Sequence, residues 1–92
     1  MDTIIIKEKT ETYKHLGFHY FAELICGKHA LAISVCNQQI WVCLTSNASH
    51  RVWKGMGKRF VSLDLALAAY KTAAVRSMIQ TAADRYAAAL PA

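Results

Sequence analysis

A chain of 92 residues leaves room for one modest core, and 54% apolar with 18% charged residues is globular composition, which excludes a disordered or low-complexity chain. Eleven Lys and Arg against six Asp and Glu give a formal net charge of +5, a balance that speaks to association with anionic partners and says nothing of fold.

Taken in chain order, residues 3 to 45 read as strands. Thr3 to Lys9 is short and β-branched, and Phe18 to Cys26 is aromatic and apolar. The segment from Thr10 to Gly17 is ambiguous between a polar connection and a continued strand, and continuation into a long first hairpin is the favoured expectation. Gly27-Lys28 is a turn signal, so a hairpin is expected there. In His29 to Cys36 the large residues Leu31, Ile33 and Val35 alternate with small ones, which turns one strand face to the core. Asn37-Gln38 marks the next turn. Gln39 to Thr45 then places Ile40, Val42 and Leu44 on one face and Trp41 and Cys43 on the other, where Tyr20 joins them in one of the two registers.

After Thr45 the character changes. Residues 46–61 begin with Ser46-Asn47-Ala48-Ser49 and carry two glycines with most of the local charge, so a basic loop is expected. From Ser62, a plausible N-cap followed by Asp64 in the first turn, residues 62–90 read as helix. Leu63, Leu67, Tyr70, Ala74 and Met78 recur at helical spacing, beside a second stripe of Val75, Ile79, Ala82 and Tyr86. A single helix from Leu63 to Leu90 would be about 40 Å long, which leaves a bend or break open near Ser77 to Asp84. The expected fold class is therefore α+β, in one domain spanning 1–92. Its antiparallel sheet has three to four hairpin-linked strands packed against a long C-terminal helix.

The stretch from His29 to His50 lacks charge, yet Ser34, Asn37, Gln38, Gln39, Thr45 and Asn47 make it too polar for a bilayer core. Met1-Asp2-Thr3 lacks the basic opening of a signal peptide, so a cytoplasmic location is expected. Cys26, Cys36 and Cys43 form no CxxC pair, and reduced, buried thiols are the expectation.

Charge is unevenly placed. Residues 1 to 23 carry Lys7, Lys9 and Lys14 against Asp2, Glu8, Glu11 and Glu23, a net of −1. Residues 64 to 92 carry Lys71, Arg76 and Arg85 against Asp64 and Asp84, a net of +1. Between them lie Lys28, Arg51, Lys54, Lys58 and Arg59 with no acid at all, and that middle stretch equals the whole excess. Four of the five cations fall between Arg51 and Arg59, around Trp53 and two glycines. Such a segment lays cations along a phosphate backbone while the indole stacks on a base; the plainer reading is a solvated loop that keeps the protein soluble. Five phosphates neutralised on a single strand would give a salt slope of about −3.5. The candidate partner-binding residues are thus Lys28, Arg51, Trp53, Lys54, Lys58 and Arg59.

Catalytic and metal chemistry find little support. His19 and Cys26, like His29 and Cys36, are seven residues apart, an odd number that puts each pair on opposite faces of a regular strand. The cysteines lie inside apolar patterns with no base beside them. Gly55-Met56-Gly57-Lys58 lacks the GxxxxGK[ST] spacing of a phosphate loop, and Arg59 stands where a hydroxyl residue is needed. No catalytic residue, metal ligand, cofactor or small-molecule substrate is expected. A sheet face bearing Trp41 offers a base-stacking surface of the kind RNA-binding domains use, unless another segment covers it.

The opening Met1-Asp2-Thr3-Ile4-Ile5-Ile6-Lys7-Glu8-Lys9 and the run from Ala30 to Trp41 (ALAISVCNQQIW) carry a resemblance that covers the full length. The chain resembles the small phage-encoded anti-CRISPR proteins that inhibit type I-F surveillance complexes. The resemblance implies stoichiometric inhibition inside a host bacterial cell, with contacts to protein subunits and to the crRNA that block hybridisation of target DNA. These inhibitors share no common signature, so no residue role carries over. Their acidic DNA-mimic strategy does not suit a basic middle, whereas a basic loop reaching crRNA or an acidic subunit does. The alternatives are a stand-alone basic nucleic-acid-binding regulator and a small phage structural or assembly protein.

Overall fold

Two tight turns set the register of the sheet in the computed structural model, which describes residues 3–45 and 57–89. Gly27, with φ +61°, starts the two-residue turn between β2 (Tyr20–Cys26) and β3 (His29–Cys36). Asn37 and Gln38, at φ +53° and +65°, both adopt the left-handed conformation that a type I′ turn demands, and so join β3 to β4 (Gln39–Thr45). These turns pair Ala22 with Ile33 and Ile33 with Val42, and the expected hairpins are present. An N-terminal strand, β1 (Ile4–Glu8), pairs antiparallel with β2, and β5 (Lys58–Phe60) pairs antiparallel with β4. The result is a five-stranded antiparallel sheet in the order β1-β2-β3-β4-β5, packed with helices in an α+β fold.

The segment after β1 departs from the expected long hairpin. Thr10–Tyr13 forms a short helix, α1, followed by a 3-10 turn over Lys14–Leu16 that ends at Gly17 with φ +94°. Strand pairing stops because the Thr10 hydroxyl takes over as acceptor for the Phe21 N–H, at 3.2 Å, just after Lys9 N–H has donated to the Phe21 carbonyl. Tyr13 then stacks on Phe21 with ring centroids 4.3 Å apart, and Phe18 meets Phe21 edge-on. These ring contacts hold the connection against the sheet.

The helical region is broken, as the length of a single rod left open, but at a different place. α2 (Leu63–Ala69) starts at Ser62, whose side chain accepts from the Leu65 N–H, and α3 spans Ala73–Ala89. The interruption falls at residues 70–72, earlier than the Ser77 to Asp84 zone. Alanine-rich sequence favours helix straight through this point, so tertiary contacts decide. Tyr70 is extended, its ring lies edge-on to Phe60 at 5.9 Å, and the Arg76 guanidinium donates to the Tyr70 carbonyl and to the Leu67 carbonyl, which also accepts from the Tyr70 N–H. A rod of about 40 Å would also overrun the 33 Å longest dimension of the molecule.

Both helices cover one sheet face. Leu24 and Leu31 sit opposite each other there, and with Val42, Met78 and Ile79 they form the fully buried centre. The expected stripe of Leu63, Leu67, Tyr70, Ala74 and Met78 does face this core, although two helices supply it. Among the described residues no helix is long and apolar enough to cross a membrane.

Candidate nucleic-acid interface

The residues proposed to meet an anionic partner divide into three groups. Arg51, Trp53 and Lys54 lie outside the described residues. Lys28 is exposed in the β2–β3 turn. Lys58 and Arg59 are exposed on β5, a regular strand where the sequence suggested the end of a loop running to residue 61.

β5 forms there because Gly57 permits it. At φ +84° this glycine lies so close to β4 that a Cβ would sit 2.3 Å from the Val42 carbonyl oxygen and 2.6 Å from the Cys43 Cα. Only a residue without a side chain lets the backbone approach β4 at this point. The pairing that follows puts Lys58 opposite Val42, Arg59 opposite Trp41 and Phe60 opposite Ile40. Phe60 is buried and holds the strand, while the Lys58 ammonium lies 5.6 Å from its ring centre.

Alternation along β5 then separates the two cations. Lys58 shares the helix-covered face with Val42, and Arg59 shares the outer face with Trp41. β5 is an edge strand, so the pair straddles the border of the sheet and neither cation makes an ion pair among the described residues. Lys28 does not join them. It lies two strands away across the sheet, about 10 Å, and at least four residues along it, about 13 Å.

Three other cations are held within the fold, whereas Lys7, Lys14 and Lys71 are exposed like Lys58 and Arg59. Lys9 pairs with Glu23 at 3.1 Å, Arg85 pairs with Glu8, and Arg76 is engaged with helix carbonyls. The Arg85 guanidinium holds the Glu8 carboxyl below its ordinary value, against the opposing effect of burial.

The outer face is closed at its middle, so an open base-stacking platform is absent there. Ala30, Ala32, Ser34 and Cys43 are all buried, and even the acidic Glu23 is only 8% exposed. Trp41 is half-buried with its indole N–H buried and unbonded. Its neighbour across the sheet is Ser34, then Phe21, and Tyr20 lies on the opposite face beside Val35. Phe21 was therefore the aromatic that sequence reasoning missed on this face, for want of the register.

Among the described residues no group of three or more His, Cys, Asp or Glu is placed to hold a metal. Cys26 and His29 nonetheless face each other directly across the β2–β3 hairpin. The spacing argument tested each His against the Cys seven residues on and so overlooked this cross-strand pair. Cys26 and Cys43 are buried and Cys36 is half-buried, none of them in a disulfide.

No family model, no curated protein and no solved structure matches this chain.

Proposed function

We propose that this protein acts by binding, without a catalytic step, and that it presents a basic sheet edge to an RNA-bearing partner in the cytoplasm of a bacterial host. The partner is the crRNA-guided type I-F surveillance complex that the resemblance implies, and stoichiometric occupancy blocks hybridisation of target DNA. The observation that carries the reading is the placement of Lys58 and Arg59 on opposite sides of the β5 edge, next to the segment bearing Arg51, Trp53 and Lys54. Cations straddling an edge suit a phosphate chain or an acidic subunit surface that meets the sheet side-on, and electrostatic complementarity of this kind acts on association rate and partner choice. The closed outer face supports the same approach, because it leaves no central platform for bases.

The experiment is a pull-down of purified type I-F surveillance complex on the immobilised protein, run beside gel shifts with free single-stranded RNA and DNA. Tight capture of the complex with little shift of free nucleic acid is the expected result. Shifted free nucleic acid with no capture would assign the basic edge to a stand-alone nucleic-acid-binding regulator and overturn the proposal.

A further inference from the structure

The two edges of the sheet are built differently. β5 is three residues long and carries Lys58 and Arg59, whereas β1 pairs without interruption over five residues and holds three isoleucines and a single cation, Lys7. Short, charged strands protect a sheet edge from pairing with further chains, and β1 is far less protected than β5. α3 rests on β2 and β3. Ile5, on the outer side of β1, is 52% exposed.

Backbone groups along β1 point alternately towards β2 and away from it. The Lys9 N–H donates to the Phe21 carbonyl, and hydrogen bonds to one neighbour recur at every second residue of an antiparallel strand. Lys7 and Ile5 therefore bond to β2, opposite Glu23 and Ile25, while Ile4, Ile6 and Glu8 turn their N–H and C=O groups outward. Among the described residues β1 has no neighbouring strand on that side, and these outward groups have no partner.

We propose that a second copy of this chain occupies this edge, with β1 running antiparallel to β1 about a two-fold axis at Ile6. The strand is self-complementary in that register. Ile6 faces Ile6 of the second copy and Ile4 faces Glu8, so every outward group is used, in about six hydrogen bonds. On the outer side Ile5 lies opposite Lys7, and the two Lys7 side chains sit diagonally, each backed by Glu23 of its own β2. Moving the axis to Lys7 would set Lys7 directly against Lys7, and moving it to Ile5 would leave Glu8 beyond the end of the facing strand. Charge also selects this edge for a self-contact. Residues 1 to 23 sum to −1, whereas a contact through β5 would bring Lys58 and Arg59 against their own copies. The joined sheet keeps both helix layers on one side and leaves a basic β5 edge free at each end. A contact of one short strand is small, so the dimer dissociates on dilution.

Sedimentation equilibrium of the full chain over a dilution series tests the pairing. A mass that rises from one chain to two with concentration is expected. Ile6→Pro removes an outward N–H, and Ile5→Lys sets a lysine opposite Lys7; each should weaken the dimer about tenfold. Circular dichroism checks that both variants fold, and Ile5→Lys, at an exposed position, carries the test if Ile6→Pro does not. Ile5→Glu sets an opposite charge against Lys7 and should leave the dimer within about threefold of wild type. A mass of one chain up to the solubility limit would overturn the proposal, as would a dimer indifferent to Ile5→Lys or one that Ile5→Glu disrupts equally. If the chain stays monomeric and Ile5→Lys instead loses the surveillance complex, β1 receives a strand of a partner subunit and self-pairing fails.

Discussion

Arg59 on β5 stands directly across from Trp41 on β4, at the end of a row that continues through Ser34 to Phe21. The indole is half-buried with its N–H unbonded, while the guanidinium is exposed at the border of the sheet. Trp41 belongs to the packed outer face, and the Arg59 guanidinium to its exposed border.

That edge depends on Gly57. Gly57→Ala places a Cβ against the Val42 carbonyl and forces an L side chain into φ +84°, so either β5 detaches or β4 shifts. A loss of about 2 kcal/mol is expected, from backbone strain together with steric conflict. Urea denaturation followed by circular dichroism measures it, and amide exchange should show loss of protection first at Lys58 to Phe60. An unchanged midpoint would mean that β5 contributes nothing to the fold.

The turn at Asn37-Gln38 carries a different kind of strain. Asparagine tolerates the left-handed conformation, but Gln38 at φ +65° does so at a cost. Gln38→Gly should raise stability by roughly 0.5–1 kcal/mol, the relief of strain exceeding the added freedom of the unfolded chain. The urea midpoint reads the gain directly, and a decrease would show that the Gln38 side chain stabilises the hairpin through other contacts.

The Glu8–Arg85 ion pair ties the end of α3 to β1 and gives stability an acid limb. The folded-state pKa of Glu8 lies below its ordinary 4.5, chiefly through the hydrogen bond from Arg85. Its contribution is therefore present above the unfolded value and is lost as pH falls through the folded one. Both side chains keep substantial exposure, so the effect is modest and weakens with added salt. Arg85→Ala should melt below wild type at neutral pH, and the two should converge as pH falls beneath the ordinary glutamate value. A gap that stays constant across that interval would remove the ion pair from the account.

Much of the sheet was legible because its signals are local. Leu31, Ile33 and Val35 alternate over three residue pairs, and Gly27 and Asn37 mark turns whose backbone conformation those residues favour. What escaped depended on partners distant in sequence. Thr10 leaves the strand because its hydroxyl meets the Phe21 N–H, and Tyr70 leaves the helix because its ring meets Phe60 and Arg76 donates to the Leu67 and Tyr70 carbonyls. β5 offers one apolar residue, Phe60, among cations and glycines, and becomes a strand only through β4. The candidate site shared this limit: Lys58 and Arg59 were visible as charge, but the faces they occupy follow from pairing with Val42 and Trp41.

The central claim is that a partner meets the β5 edge side-on and feels both cations. Affinity for the type I-F surveillance complex, measured for wild type, Lys58→Ala and Arg59→Ala across a series of salt concentrations, tests it most directly. Each substitution should weaken binding and make the logarithmic salt slope shallower by about 0.7, the value of one phosphate contact on a single strand. Affinity and slope unchanged in both variants would contradict the account, and an effect confined to Arg59→Ala would replace the edge-on approach with one over the outer face.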